Sequence, residues 1–373
     1  MNEALALITL TGSALARGQQ QALSRPALVP RVRAAILGRL ASIQAMLDLP
    51  RMKTYLKQQK EFLEAQDQSG FDESLGLATG FGLSHDEVLA YLHANIVQDR
   101  SASSPVERDG CTSWAQCLAA GGSLVAKNRD YRGEHGVLQQ VFLHCNPAAR
   151  ARTMLCVGSL GSPGAFSSGI NSAGLAVVDT QIGTRDHGVG WLRYFLMTAL
   201  LRECADVDTA LTFIAAVPHA GGGSLVLGDA CGTTAAVELG HAQAPVITRS
   251  MTLAARTNHY LDPQMAARMV SPSDDLSNSS QQRLAQVRSY LAQHGNTMDV
   301  AKAQALMSGH QAGASICLHA DTDSQTQART LSSVVYETAS QTLHISNGNP
   351  CNSAWARFCL HELAVVAAAA QAS

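Results

Sequence analysis

About a third of the way along this 373-residue chain a cysteine directly follows a glycine, within Arg108-Asp109-Gly110-Cys111-Thr112. A thiolate is a strong nucleophile, but a mid-chain cysteine has a nominal pKa of about 8.5 and needs a group to take its proton. Asp130 follows 19 residues later, inside Ala126-Lys127-Asn128-Arg129-Asp130-Tyr131, and Thr257-Asn258-His259 comes much further on. Singly, each has a bland explanation. Asp109-Gly110 is a common turn, Asp130 could be a strand-end carboxylate, and Asn258 a loop residue satisfying backbone. The chain has nine cysteines, an odd number, with no Cys-x-x-Cys and several in apolar runs such as Met154-Leu155-Cys156-Val157. That is the usage of a reducing compartment, where cysteine is a small buried hydrophobe. Cysteine identity therefore does not single out Cys111; the ordered set does.

Other chemistries find little support. Of the 13 histidines, His259, His319 and His361 show no paired spacing, and His361-Glu362 lacks the second histidine of a zinc-protease motif. No catalytic metal and no cofactor are expected. A phosphate-binding loop, a Gly-x-Ser-x-Gly elbow and a dinucleotide fingerprint are all missing from the sequence. The formal net charge is −2 and no block of like charges occurs, so neither nucleic acid nor an anionic membrane is an expected partner. A small molecule is. Apolar residues make up 46% and charged residues 15%, the balance of a globular chain with a large core. The apolar stretch Ala4 to Leu10 is too short for a signal peptide, has no preceding Lys or Arg, and follows Glu3. No run approaches the roughly 18 apolar residues of a membrane span. A soluble, cytoplasmic protein is expected.

These residues need elements to position them. Residues 1–110 read as mostly helical after an opening strand and glycine turn in Leu7-Ile8-Thr9-Leu10-Thr11-Gly12. Val32, Ala35, Ile36, Leu40 and Ile43 recur at helical spacing over Val29 to Leu49, stopping at Pro50, and Ser84-His85-Asp86-Glu87 is a capping box. From Cys111 the pattern changes to strands. Thr112–Leu118 and Ser123–Ala126 form a hairpin about Gly121-Gly122, and a second hairpin turns at Asn171-Ser172-Ala173-Gly174. Strands are also expected at Val137–Leu143, Thr153–Val157, Ser224–Leu227, Thr233–Leu239, Val246–Ala254, Leu331–Tyr336 and Thr342–Ile345. A helix carries the stripe Leu192, Phe195, Leu196, Ala199 and Leu200, and others cover Gln281–Gln293 and Asp299–Met307, with Asp262–Ser280 as a polar loop. Strands in runs with segregated helices argue for α+β and against a doubly wound parallel sheet.

Gly110-Cys111-Thr112, Asn128-Arg129-Asp130 and Thr257-Asn258-His259, in that order, resemble the acyl-coenzyme A:6-aminopenicillanate acyltransferase family of N-terminal nucleophile hydrolases. The resemblance runs from near residue 7 to about residue 350. It implies a four-layer αββα sandwich of two antiparallel sheets between helical layers. It also implies that the chain cuts itself between Gly110 and Cys111, leaving a helical subunit 1–110 and a catalytic subunit 111–373 that stay together. The physical sense of that cut is clear. Glycine leaves its carbonyl open to attack by the sulfur. The new N-terminal cysteine carries an α-amine, of nominal pKa about 8, within reach of its own thiol, so one residue supplies nucleophile and base.

The same resemblance implies the other roles. Asp130 would hold the cysteine α-amine, and Asn258 would donate to an oxyanion. Tyr131, His259, Arg283 and Ser315, beside or within family-like stretches, become the expected substrate-binding residues. Ser315-Ile316-Cys317 matches a motif after which the family commonly places arginine; here Leu318 stands instead, and Arg283 is the candidate to compensate. The expected activity is hydrolysis of a small linear amide through an acyl-thioester on Cys111. Basic residues such as Arg150 and Arg152 are too sparse along the sequence to suggest a coenzyme A phosphate site. Acyl transfer from a thioester or amide to an amine is the alternative, and a non-catalytic homologue acting as a binding protein is the reading from another class. The loops 183–190 and 262–280 are expected to wall the pocket.

Overall fold

Side chains alternate across a strand, and that alternation builds the layers. The computed structural model describes residues 5–101, 110–145, 152–270, 274–311, 315–320 and 327–372. In chain order the first strands are β1 (Leu7–Thr11), β2 (Cys111–Cys117), β3 (Ser123–Arg132), β4 (Gln139–Cys145) and β5 (Met154–Ser159). There follow β6 (Ser168–Asn171), β7 (Ala176–Thr180), β8 (Ser224–Gly228), β9 (Thr234–Glu238) and β10 (Val246–Ser250). The last are β11 (Leu253–Arg256), β12 (Ala328–Glu337), β13 (Thr342–Asn347) and β14 (Trp355–Cys359). An eight-stranded sheet runs β1-β4-β5-β6-β7-β8-β9-β10, and a six-stranded sheet runs β11-β2-β3-β12-β13-β14. Pairings are antiparallel except at one edge, where β1 lies parallel to β4.

Ala115 and Val125 of the smaller sheet share one buried cluster with Val141, Leu143 and Val226 of the larger, so the two sheets face each other. Their neighbours Trp114, Leu124 and Ala126 point the other way and pack with Leu284, Val287 and Leu306. Those belong to the helices Asp274–His294 and Val300–Met307. On the far side of the larger sheet, Phe142, Leu225 and Leu227 pack with Leu196 and Leu200 of the helix Arg193–Glu203 and with Phe81 and Val88 of the N-terminal helices. Each fully buried Leu, Val or Phe contributes about 1.5–3 kcal/mol relative to exposure. The result is helix, sheet, sheet, helix: an α+β sandwich of four layers.

The described residues before Cys111 form one strand and a set of helices, including Ala14–Ser24, Pro50–Gln66, Gln68–Phe81 and Ala94–Ser101. The Ser84 capping box is present, with Glu87 returning a bond to the Ser84 N–H. Gly18 and Gly76 let two of these helices cross in contact: a Cβ at Gly18 would sit 2.2 Å from the Glu73 carbonyl oxygen, and one at Gly76 2.1 Å from that of Leu15. No larger residue fits either place.

Several boundaries differ from the sequence expectation. The helix expected over Val29 to Leu49 is Val29–Ser42 followed by a short turn Gln44–Leu47, and Pro50 opens the next helix rather than merely ending one. Proline is well suited there, since the first helical turn has no use for its missing N–H. The strand expected over Val246 to Ala254 is two strands in two different sheets, β10 pairing with β9 and β11 with β2. The polar stretch 262–280 contains helix, because Asp262 caps Pro263–Ala266 through Gln264 N and Met265 N, and a longer helix begins at Asp274. The turn at Asn171 behaves as scaffold: its Oδ1 accepts from Ala173 N and Leu175 N, and its Nδ2 donates to Leu201 O and Cys204 O.

Candidate active site

Cys111 is the first residue of β2, in register with Arg129 on β3. It has the parity of Ala115, so its side chain belongs to the inter-sheet side, where the sheet ends open into a cavity of about 140 Å3. Cys111, Asp130 and Tyr131 line that cavity with Lys127, Asp179 and Gln181. Arg39, Tyr91, Leu92, Asn95 and Gln98 close it from the N-terminal helices. Among the described residues of loops 183–190 and 262–280, none lines it. The wall comes instead from the N-terminal helices, which pack across the open end of the sandwich, with Phe166, Ser167, Arg193 and Tyr194.

The backbone on both sides of the Gly110–Cys111 bond is held. The Cys111 N–H donates to Asn258 Oδ1 at 2.7 Å across 147 residues of sequence. Arg283 Nη1 donates to the Cys111 carbonyl at 2.6 Å and to Thr112 Oγ1 at 2.8 Å, while its Nη2 donates to Asn258 Oδ1 at 3.0 Å. The Gly110 carbonyl accepts from the Asp130 N–H at 3.1 Å. A Cβ on Gly110 would stand 3.1 Å from Asp130 Oδ2 and 3.3 Å from Arg283 Nη2, so only glycine leaves both groups undisturbed.

Asn258 is itself fixed. Its Nδ2 donates to Gln181 O at 2.8 Å and its backbone N–H to Ser280 Oγ at 2.9 Å. These partners settle which end of the amide is oxygen, since the N–H groups of Cys111 and Arg283 require an acceptor. Asp130 is buried and its Oδ1 accepts from Thr330 Oγ1 at 2.6 Å. Burial pushes the Cys111 thiol above its ordinary range; Lys127 opposes that shift, and the carboxylates of Asp130 and Asp179 add to it. Asp179 is ion-paired with Lys127 and, at 2.6 Å, with Arg193, whose two positive charges hold its carboxyl low despite burial.

Of the residues expected from sequence, Gly110, Cys111, Asp130, Asn258 and Arg283 come together, and Tyr131 joins them on the cavity wall. Arg283 touches the backbone of Cys111 rather than open space, which makes it a positioning group instead of a substrate contact. His259 does not line the cavity. Its Nδ1 meets Ser280 Oγ at 2.8 Å, and burial with Arg283 and Arg288 nearby lowers its pKa to about 4. Ser315 does not line it either, since Asn128 Nδ2 ties the adjoining Ile316 carbonyl to the helical side of the six-stranded sheet at 2.9 Å. Leu318, at the arginine position, pairs its backbone with Thr330.

Sequence reasoning missed Lys127, Asp179, Gln181, Arg193 and Thr330. A signal existed for two of them: Lys127 and Asp179 are charges inside or closing apolar strands, Leu124-Val125-Ala126 and Ala176-Val177-Val178. Such placements demand a buried partner.

Two facing sheets between helical layers, with a buried cysteine opening one strand, define an α+β sandwich with a candidate thiol site at the sheet ends. Among sequence families, that of acyl-coenzyme A:6-aminopenicillanic acid acyl-transferase matches residues 117–352, and this chain belongs to it. The matched stretch covers Asp130 and Asn258 and begins just after Cys111. Similar solved structures include penicillin V acylase from Agrobacterium tumefaciens, at 13% identity over 68% of this chain and 88% of that one, with a TM-score of 0.44. A variant of conjugated bile acid hydrolase from Clostridium perfringens is similar at 10% identity over 67% of this chain and 97% of its own, with a TM-score of 0.47. No curated protein matches. Among the described residues no helix is long and apolar enough to cross a membrane.

Proposed function

We propose that the protein is a self-processing amidohydrolase in which Cys111 is first the agent of its own release and then the catalytic nucleophile. The observation that carries this reading is the grip on the bond before Cys111. Its carbonyl oxygen rests on the Asp130 N–H, its nitrogen donates to Asn258, and the next carbonyl is clamped by Arg283. In processing, Sγ attacks the Gly110 carbonyl carbon, and the Asp130 N–H stabilises the oxygen as it gains charge. The C–N bond breaks, the thiol proton passes to the departing Cys111 nitrogen, and water then hydrolyses the thioester. Products are chains of 110 and 373 − 110 = 263 residues. The helical chain would stay bound, because β1 is a strand of the larger sheet and Arg39, Tyr91 and Asn95 wall the cavity.

In turnover the freed α-amine takes the Cys111 thiol proton and delivers it to the leaving amine of a substrate amide. Asp130 and Asn258 Oδ1 would orient that amine. Asn258 Nδ2 spends one N–H on Gln181, which leaves its second for the substrate oxyanion. The acyl group, held as a thioester, is then released to water. Intact mass of the purified protein tests the reading together with the mass of a trapped acyl adduct. Two fragments and an acyl group on Cys111 are expected, and amide hydrolysis by a single full-length chain would overturn it.

Acyl transfer is the second reading, and one observation favours it. The sequence disperses its basic residues, but folding brings Arg39, Arg129 and Arg132 to one cavity, where an anionic donor or acceptor would be welcome. Arg150 lies outside the described residues. Hydroxylamine added as a competing acceptor separates the two readings: hydroxamate formation without loss of total acyl release marks transfer capacity, and its failure to form leaves hydrolysis.

A further inference from the structure

Away from the cavity, four metal-binding side chains from distant parts of the chain converge. His310, Cys317, His319 and Cys351 each direct a ligand atom to one place, and these atoms all lie within 4.8 Å of one another. The two sulfurs are 3.7 Å apart, Cys317 Sγ is 3.7 Å from His319 Nε2, and His319 Nε2 is 3.2 Å from Cys351 Sγ. A tetrahedral zinc ion with Zn–S of about 2.3 Å and Zn–N of about 2.0–2.1 Å spaces its ligands at about 3.8 Å for two sulfurs and about 3.6 Å for sulfur and nitrogen. Cys317, His319 and Cys351 already stand near those spacings, and the His310 ligand atom lies within 4.8 Å of theirs. Ordinary packing does not explain them: His310, His319 and Cys351 are exposed, so three of the four would gain little by facing one another.

We propose that His310, Cys317, His319 and Cys351 form a structural zinc site. Two thiolates and two imidazoles are the donor set that selects this ion. Binding releases two protons as the thiols ionise, and two thiolates neutralise the divalent charge. Four protein ligands close the coordination shell and leave no position for a reactive water, so the ion holds structure rather than performing chemistry. The surrounding hydrogen bonds suit that role. Asn349 Nδ2 donates to Cys317 Sγ at 3.3 Å and to the Leu318 carbonyl at 2.7 Å, supporting a ligand from behind. Sequence spacing hides the site because Cys351 is 32 residues beyond His319 and only the return of β13 carries it back.

The site also fastens the segment that reaches the catalytic region. Leu318, between two ligands, donates its N–H to Thr330 Oγ1 at 2.9 Å, and that hydroxyl donates to Asp130 Oδ1 at 2.6 Å.

The test uses the full-length protein, stripped with a chelator and titrated with zinc or cobalt(II), with bound metal counted by elemental analysis after gel filtration. One metal per chain is expected. Cobalt should give the intense visible bands of a tetrahedral thiolate-imidazole site, and zinc should raise the thermal midpoint. Cys351→Ser and His319→Ala remove exposed ligands without emptying the core, and each should lower zinc affinity at least tenfold while the far-ultraviolet spectrum stays native. The proposal is overturned if the wild type retains no zinc at micromolar concentration, or if Cys351→Ser binds it equally well. It is also overturned if thiol trapping of freshly isolated protein finds Cys317 and Cys351 joined as a disulfide.

Discussion

Cys111 and Cys317 are both buried, yet they sit in opposite kinds of surroundings. Around Cys111 the backbone is clamped on each side of one peptide bond, and the side chain borders a cavity. Around Cys317 the sulfur faces a second sulfur, an imidazole and an amide N–H, all within 3.7 Å. A sulfur beside a held peptide bond and open space suits the attack on carbon proposed for Cys111. One opposed by other soft donors suits the cation proposed for Cys317. Residue type is the same in both places, so the geometry of what it faces sets the chemistry. Thr330 stands between them, with a hydroxyl that accepts from Leu318 and donates to Asp130.

The sharpest way to break this contrast is to exchange the damage. Cys111→Ala should abolish processing and turnover together, leaving one full-length mass, while Cys351→Ser should still yield two fragments. If Cys351→Ser stopped processing and Cys111→Ala did not, the assignment of the two sulfurs would be reversed. Next in size, Asn258→Ala should slow turnover roughly a hundredfold or more through loss of an oxyanion donor. Single-turnover acylation rates on folded protein would read this, and a wild-type rate would leave the oxyanion to backbone N–H groups. Arg283→Met strips the bonds to the Cys111 carbonyl and Thr112 from a buried site. It should destabilise the fold by about 1–3 kcal/mol, the cost of a buried polar group left without its partner. Denaturant midpoints measure that loss, and an unchanged midpoint would show that Arg283 does not clamp Cys111.

Smaller still is the link between the regions. Thr330→Val removes about 1 kcal/mol of hydrogen bonding to Asp130, so processing should slow about fivefold while metal content stays at the wild-type level. An unaltered processing rate would uncouple the two regions. A separate effect comes from buried and half-buried histidines. His85, His93 and His259 are lowered by burial from 6.5 to about 4, and His135 to about 3. Unfolded chains take up these protons near pH 6.5 and the folded chain does not, so stability should fall as pH drops from about 6.5 toward 4. A thermal midpoint flat across that window would contradict the lowered values, and His259→Gln should make the decline shallower.

Much of the architecture was legible because short-range patterns carry it. Alternation along β2 and β3, the glycine turn between them, the Asn171 turn and the Ser84 capping box are each decided within about ten residues. The order of Gly110-Cys111, Asp130 and Thr257-Asn258-His259 could likewise be read along the chain, together with a family resemblance that the match over residues 117–352 supports. Reading failed where neighbours in sequence part company in space. Val246 to Ala254 looks like one strand, and only pairing to two different partners divides it between sheets. Ser315 and His259 stand within motifs yet do not line the cavity, because adjacency along a chain says little about which face a side chain joins.

What the sequence determined by itself is therefore the strand-rich α+β character after Cys111, the helical character before it, and the small set of groups for which acyl chemistry is proposed. The tertiary structure alone decided their company: Arg283 on the Cys111 carbonyl, Gln181 on the Asn258 amide, the Lys127–Asp179–Arg193 charge group, and Cys351 beside His319. The physical reason is range. Turns, caps and strand alternation follow from local sterics and hydrogen bonding. Which buried charge meets which, and which sulfur meets another, depends on how strands far apart in sequence pair and pack.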